Sequence, residues 1–174
     1  MMEFLWPWLV LALLVFWMVG AYNRLVRLRA QVRVAFQAVD KCYGQYLRLV
    51  DTHMPSSAYE PLIPEQAGMR GAVVQFDNSL RATRREVLDA AAVAALHTAH
   101  TTLQVWWARL LEAAAPAPSD LSQDWKDSWA ETARQATDAV SRFNQAAQRH
   151  NAAIGQFPAL LLARLFSFRA VGTL

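Results

Sequence analysis

The sequence predicts an all-α protein: an N-terminal transmembrane helix that continues into an antiparallel bundle of about three long helices, followed by a short C-terminal helix. Three observations predict this fold class. Residues 4–21 contain no charged side chain, a run long enough for a membrane-spanning helix. In the rest of the chain, apolar residues recur every three or four positions, and alanine-rich stretches are separated by prolines, as expected of packed helices.

The composition is richer in apolar residues than that of ordinary soluble domains. Of the 174 residues, 55% are hydrophobic and 18% are charged, whereas about a quarter of the residues in a typical soluble domain are charged. The net charge of +3 is too small over this length to predict nucleic-acid binding. The chain has one cysteine, Cys42, so an intramolecular disulfide is excluded.

The uncharged residues 4–21, called the apolar segment below, would form about 27 Å of helix, close to the roughly 30 Å hydrocarbon core of a bilayer. Pro7 falls in the first turn, where its missing N–H costs little. Aromatic residues flank both ends, which is typical of membrane-spanning helices. They are Trp6, Trp8, Trp17 and Tyr22. We therefore predict that residues 1–22 form a transmembrane anchor.

A cleaved signal peptide is the alternative interpretation of this segment, because Val19-Gly20-Ala21 resembles a small-residue cleavage site. Two features disfavour it. No lysine or arginine precedes the apolar run, and the run is longer than the apolar region of a usual signal peptide. The sequence therefore favours an anchor that is retained.

Four arginines directly follow the apolar segment, whereas only Glu3 precedes it. They are Arg24, Arg27, Arg29 and Arg33. Because basic residues favour the cytoplasmic side, we expect a single pass through a bacterial cytoplasmic (inner) membrane, with the N-terminus outside and the bundle in the cytoplasm. The same arginines are candidates for binding anionic lipid headgroups, at about 1 kcal/mol each near the surface. A role in topology alone is the alternative.

Residues 23–157 are predicted to form the helical bundle domain. Its first helix has an apolar seam of heptad spacing and ends before Pro55, because a residue that precedes proline avoids the helical conformation. The seam consists of Val32, Phe36, Val39, Tyr43, Tyr46 and Val50.

A second helical stretch is predicted over 65–115. Its first part contains Gly68, Gly71 and the pair Asn78-Ser79, which disfavour helix, so the sequence leaves open whether residues 65–80 continue the second helix. From Arg81 to Ala115 the pattern predicts an unbroken helix.

Pro116 and Pro118 separate this stretch from a third helix that extends to about Gly155. Ser119 or Asp120 is the predicted N-cap, and Gln123 is placed to act as the reciprocal partner of Asp120.

Residues 158–174 are predicted to form a short amphipathic tail that begins at Pro158, since proline is favoured at the first helical position. Its large apolar side chains are candidates for an interface with a partner or with the end of the bundle. They are Leu161, Leu162, Leu165, Phe166 and Phe168. Because three long helices alternate in direction, the tail is expected far from the membrane, unless the second helix is split.

Two stretches resemble the LemA family. Residues 22–40 read YNRLVRLRAQVRVAFQAVD, and residues 141–168 read SRFNQAAQRHNAAIGQFPALLLARLFSF. The family shares a membrane segment, a Tyr-Asn start with Leu-Val-x-Leu-Arg, and a Phe-Asn…Asn…Phe-Pro…Leu-Phe-x-Phe ending. The matching residues are Tyr22, Asn23, Leu25, Arg29, Asp40, Phe143, Asn144, Asn151, Phe157, Pro158, Leu165, Phe166 and Phe168.

The resemblance implies an antiparallel helical bundle on a membrane anchor, and it implies no particular biochemical activity. The chain departs from the family after Asp40. Residues 41–53, KCYGQYLRLVDTH, lack the proline and asparagine that the family has in this region. Any function of that part of the family's surface is therefore in doubt for this chain.

No residue pattern predicts a catalytic, cofactor or metal site. His97 and His100 are three residues apart and are expected to share a helix face, but a catalytic zinc usually needs three protein ligands. Two polar residues on a helix surface is the favoured interpretation. Cys42 is expected to be a small buried apolar residue.

Adjacent Trp106 and Trp107 point about 100° apart on a helix. One of them is expected inside the bundle. The other is expected at the edge of the bundle or in an interface with a partner, where tryptophan is favoured. A wide core-facing stripe explains the pair equally well.

The sequence thus predicts a membrane scaffold or interaction protein that self-associates, with no catalytic activity, cofactor, small-molecule substrate or nucleic-acid partner. Its expected partners are the lipid bilayer and either copies of itself or another membrane protein. The alternative is an adaptor or regulator of a membrane protease or sensor. An enzyme with an unrecognised site is a third hypothesis.

Overall fold

A computed structural model describes residues 5–54, 63–115, 121–156, 160, 166 and 168–174 of the chain. Within these residues there are four helices and no strand, which confirms the predicted all-α fold class. The helices are α1 (Leu5–His53), α2 (Pro64–Arg85), α3 (Ala90–Ala113) and α4 (Gln123–Ile154).

Helix α1 is continuous over 49 residues, about 74 Å of helix, and its two halves lie in different surroundings. In the first half the apolar side chains are exposed; Trp6 is 70% exposed and Phe16 84% exposed. This part of the helix is long and apolar enough to cross a membrane. In the second half the predicted seam is buried, and Val32 and Val39 are fully enclosed. One helix therefore provides both an exposed apolar segment and one side of the bundle core.

The second helical stretch is split between Arg85 and Ala90. Gly68, Gly71 and Asn78 all lie within α2, so residues 65–80 are helical, which the sequence left open. The predicted unbroken helix from Arg81 to Ala115 is wrong. The chain leaves the helical conformation at Glu86 and re-enters it after Asp89.

Two side chains explain this break. The carboxylate of Asp89 accepts hydrogen bonds from the backbone N–H groups of Ala91 and Ala92, at 3.2 and 3.3 Å, and so caps the start of α3. The buried Thr83 hydroxyl lies 2.9 Å from the carbonyl oxygen of Ser79 and 3.1 Å from that of Ala92. It therefore holds the end of α2 against the beginning of α3.

Gly68 is tolerated inside α2 because it allows a close approach between α2 and α3. A Cβ atom at this position would overlap the Trp106 indole. The lost helix propensity, about 1 kcal/mol, is offset by the burial of an aromatic face. Trp107 points into the core and is 7% exposed, whereas the half-buried Trp106 packs against the edge of the core.

The helices pack in pairs: α1 lies along α4, and α2 lies along α3. Phe36 contacts Phe143 across the first pair, with 5.9 Å between ring centroids. Tyr43 on α1 contacts Phe76 on α2 at 5.1 Å, and the two pairs share one core. Helices α3 and α4 are further apart, since no Cα atom of one lies within 8 Å of a Cα atom of the other.

The N-cap of helix α4 lies two or three residues later than predicted. It is Ser122, whose hydroxyl accepts a hydrogen bond from the Trp125 N–H at 3.3 Å. Gln123 is the first helical residue and donates to Asp127 at 2.9 Å, so its predicted role as a capping partner is wrong. The predicted caps Ser119 and Asp120 lie outside the described residues.

The split of the second stretch reverses the chain once more and changes where α4 ends. Ala153 and Ile154 pack with Leu25, directly after the apolar segment. The far end was expected for the C-terminal tail unless the second helix is split, and the split places the described part of the tail beside the apolar segment. We call the end of the bundle that adjoins the apolar segment the proximal end. Most of the predicted C-terminal helix, including Phe157, Pro158, Leu161, Leu162 and Leu165, lies outside the described residues.

Candidate anion site at the proximal end

Residues 168–174, called the docked segment, run from the proximal end along α4, and two asparagines hold their backbone. The Asn151 side chain donates to the Val171 carbonyl at 2.9 Å and accepts from the Val171 N–H at 2.8 Å. Asn144 makes the same pair of bonds with Leu174, at 2.8 and 2.9 Å. Each asparagine thus recognises the main chain of one residue, in the way that a neighbouring strand would.

The spacing of these two clamps follows from helix and strand dimensions. Seven residues of helix separate the two asparagines, a rise of about 10.5 Å. Three residues of extended chain, from Val171 to Leu174, cover about 10 Å. The two lengths agree, so both asparagines can form their hydrogen bonds with the same extended segment. Both asparagines belong to the residues that resemble the LemA ending, and in this structure both position the docked segment.

Gly172 brings the docked segment against the start of α3. A Cβ atom on this residue would lie 3.0 Å from the carbonyl oxygen of Ala90 and 3.1 Å from the Cβ of Val93. Next to it, Val171 is buried, at 4% exposure. The docked segment therefore contacts both α3 and α4, the two helices whose backbones stay apart.

Aromatic contacts tie the same region to the end of the apolar segment. Tyr22 packs against Phe166 and Phe168, with 5.2 and 6.3 Å between ring centroids. The guanidinium of Arg29 lies over the ring of Phe168 at 5.9 Å. Trp6, Trp8 and Trp17, the other aromatic residues predicted to mark the ends of the membrane-spanning helix, have exposed side chains. Tyr22 therefore makes contacts within the protein that the sequence analysis did not predict.

A cavity of about 630 Å³ opens beside the docked segment. Its walls come from α1, from the end of α2 and the turn after it, from α4, and from the C-terminal tail. Five arginines line it: Arg29, Arg33, Arg84, Arg85 and Arg169. The lining also includes two acidic residues, Glu86 and Asp89, and the buried His150.

Of these five arginines, only Arg84 has an acidic partner among the described residues; it is paired with Asp40 at 2.6 Å. No carboxylate in the described ranges lies within ion-pairing distance of the other four, Arg29, Arg33, Arg85 and Arg169. Of the two acids in the lining, Asp89 already accepts two backbone N–H groups. The cavity therefore carries an excess of positive charge.

No protein-family model, curated protein or solved structure matches this chain. The resemblance to the LemA family stays a prediction.

His150 adds a neutral polar group to the cavity wall. Its Nε2 lies 3.3 Å from the carbonyl oxygen of Arg169, so Nε2 carries the proton that is donated. Burial lowers the pKa of His150; the hydrogen bond to Arg169 opposes this, and the charge of Arg29 adds to it. The imidazole is therefore neutral near pH 7, and its Nδ1 is a hydrogen-bond acceptor. This buried Nδ1 has no partner among the described residues.

The sequence identified only part of this site. All four arginines of the predicted cluster are exposed, and two of them, Arg29 and Arg33, line the cavity, whereas Arg24 and Arg27 lie outside the lining. Sequence reasoning missed Arg84, Arg85, His150 and Arg169. The Arg84-Arg85 pair was a usable signal, because basic residues at the end of a helix are a recognisable feature.

The histidine pair lies elsewhere, beside a second cavity of about 320 Å³. His97 is exposed, and the half-buried His100 stacks on Tyr43 with 4.7 Å between ring centroids. Within the described residues, no group of three metal-ligating side chains comes together. Cys42 is buried, and burial raises the pKa of its thiol, which disfavours the reactive thiolate.

Proposed function

We propose that this chain is a membrane-anchored helical scaffold or interaction protein of LemA type, which self-associates and has no catalytic activity of its own. The observation that carries the proposal is the continuity of α1. An apolar segment with exposed side chains passes without interruption into a helix whose next seam forms the bundle core. In this proposal the apolar segment resides in lipid, and the bundle is held directly against the membrane surface.

The four arginines after the apolar segment support an orientation with the bundle in the cytoplasm. The chain would then cross a bacterial inner membrane once, with its N-terminus outside. Because the proximal end adjoins the apolar segment, the docked segment and the basic cavity would face the inner surface of that membrane.

An exposed apolar stripe on α1 supports self-association. Val26, Ala30 and Val34 are all exposed, and successive members are about 40° apart around the helix. The stripe lies on the side of α1 opposite the buried Val32 and Phe36. It continues the apolar segment beyond the membrane, so two copies could pair along one surface inside and outside the bilayer.

Cysteine cross-linking in native membranes tests this pairing. In a Cys42→Ala background, Val34→Cys is expected to give a covalent dimer on mild oxidation. Gln145→Cys is the matched control, because it is exposed on α4 at a similar height, as judged from the Phe36–Phe143 contact. We expect no dimer from it. If Val34→Cys remains monomeric at equal expression, self-association through α1 is wrong.

The same variants report orientation and the alternative function. The thiol introduced by Val34→Cys should react with a membrane-impermeant maleimide only after the cytoplasmic side is opened. An adaptor or regulator of another membrane protein would instead use the stripe to bind a different helix. A cross-linked product of one reproducible mass, larger than that of the dimer, would contain a different partner protein and would support this alternative.

A further inference from the structure

We propose that the basic cavity at the proximal end binds a phosphate ester that also carries a free hydroxyl group. Two sources supply this chemistry: the headgroup of an anionic glycerophospholipid, or a soluble phosphate ester. The inference deepens the proposed function, because it rests on the bundle lying against a membrane surface. It assigns a ligand class to a cavity of about 630 Å³ formed by four separate parts of the chain.

Charge identifies the ligand as an anion. Arg33, Arg85 and Arg169 face one cavity without an acidic partner in the described part of the chain. Unpaired guanidinium groups that share a cavity repel one another, and an anion between them relieves this repulsion. The planar fork of arginine matches the oxygens of a phosphate, to which it donates two parallel hydrogen bonds.

His150 identifies the second feature of the ligand. The residue is buried to 1% exposure, lines the cavity, and leaves Nδ1 without a donor among the described residues. Its other ring nitrogen is committed to the Arg169 carbonyl. A buried acceptor without a donor is unfavourable by about 1–3 kcal/mol. A hydroxyl group on the ligand would donate a hydrogen bond to Nδ1. A simple phosphate monoanion has only its acidic P–OH group as a donor.

Depth along α1 distinguishes the two sources. Arg29 is eight residues beyond Ala21, about 12 Å of helix, and Arg33 is about 18 Å beyond it. The headgroup layer extends only about 5–7 Å past the hydrocarbon core. A flexible arginine side chain at position 29 can reach towards headgroup phosphates, but one at position 33 lies too far from the membrane surface. Binding of a lipid would therefore depend on Arg29, whereas binding of a soluble ester would depend on both Arg29 and Arg33.

The experiment compares two double variants of the full-length protein in nanodiscs. Arg29→Gln/Arg33→Gln removes two charges from the cavity, and Arg24→Gln/Arg27→Gln removes two exposed charges outside it. Each leaves two arginines behind the apolar segment, so the orientation signal is equally reduced in both. The lipid probe is phosphatidylglycerol retained in native mass spectrometry from mixed phosphatidylglycerol–phosphatidylcholine discs. The soluble probe is glycerol 3-phosphate, titrated by calorimetry.

We expect the cavity variant to lose at least about tenfold in affinity for one probe, and the control to change less than about twofold. Loss confined to phosphatidylglycerol and reproduced by Arg29→Gln alone assigns a lipid. Loss for glycerol 3-phosphate that needs both substitutions assigns a soluble ester. Equal losses in the two double variants, or no binding of either probe, would overturn the proposal. If all variants still remained in the membrane in that case, the ligand proposal would be wrong while the proposed membrane anchor would stand.

The hydroxyl is tested separately with His150→Phe, which keeps an aromatic ring at the buried position. This variant is expected to lose the preference for phosphatidylglycerol over phosphatidic acid while still binding both lipids. If the wild-type protein binds the two lipids equally well, the assignment of a hydroxyl to the ligand is wrong.

Discussion

Replacing Asn144 and Asn151 together by alanine is expected to release the docked segment from the groove between α3 and α4. The two side chains make four hydrogen bonds to the backbone of Val171 and Leu174. At roughly 0.5–1.5 kcal/mol each, the bonds contribute about 2–6 kcal/mol to docking. We expect hydrogen exchange of the Val171 and Leu174 amides to accelerate at least about 30-fold, as measured by mass spectrometry of the C-terminal peptide.

The matched control replaces Gln145 and Gln148, which are exposed on the same helix between the two clamps. Their substitution by alanine should leave exchange at the C-terminus unchanged. Equal protection of the C-terminal peptide in the asparagine variant and in this control would show that the asparagines do not hold the segment.

Lowering the pH is expected to destabilise the bundle through His100. Burial, with a smaller contribution from the charge of His97, lowers the pKa of His100 to about 4. The ring is packed against Tyr43 and Tyr46 from α1 and Phe76 from α2. An unfolded chain has an ordinary histidine pKa of about 6.5, so protons bind the unfolded state first as the pH falls.

The sign follows from this difference in pKa. Above about pH 6.5 His100 is neutral in both states and its contribution is constant. Between pH 6.5 and about 4, the free energy of unfolding falls by up to about 1.4 kcal/mol per pH unit. From pH 7 to 4.5 we expect a loss of about 2–3 kcal/mol from this residue, measured by chemical unfolding in detergent.

His100→Phe separates this contribution from those of His150 and the carboxylates. Phenylalanine keeps the ring stacked on Tyr43 but cannot bind a proton, so the variant should lose about 2–3 kcal/mol less than the wild type over this pH range. His97→Gln, at an exposed position, should follow the wild-type curve. Parallel curves for the wild type and His100→Phe would contradict the assignment.

The fold class followed from the sequence because its main determinants are local or periodic. The length of the apolar segment and the heptad seam of α1 depend on side chains that are close along the chain. Both indicated their surroundings correctly: the seam residues Val32 and Val39 are buried, and the apolar segment is exposed. Pro55 also marked the end of α1 at His53.

The break between α2 and α3 was not predicted because tertiary packing outweighed local propensity. Gly68 disfavours helix by itself, yet it lies against the Trp106 ring of the next helix. Asp89 alone does not predict the end of a helix, yet its carboxylate caps α3. The Thr83 hydroxyl donates to the Ala92 carbonyl in the same region. Neither contact between α2 and α3 has a signature within one segment of sequence.

The break between α2 and α3 has a large consequence for the site. Three long helices would carry the tail away from the apolar segment, whereas four helices return it to the proximal end. Arg29 and Arg33 then meet Arg84, Arg85 and Arg169 around one cavity. Because these residues come from three distant segments, no linear pattern could have predicted the cavity. The asparagine clamps belonged to the LemA-like ending, but their backbone partners required the fold.

The central claim is that the apolar segment of α1 resides in a lipid bilayer and anchors the bundle. Alkaline carbonate treatment of membranes that contain the full-length protein tests this claim most directly. We predict that the protein sediments with the membranes after carbonate and enters the supernatant only when detergent is added. Recovery of the intact chain in the carbonate supernatant would contradict the anchor, and with it the orientation and the lipid-facing position of the basic cavity.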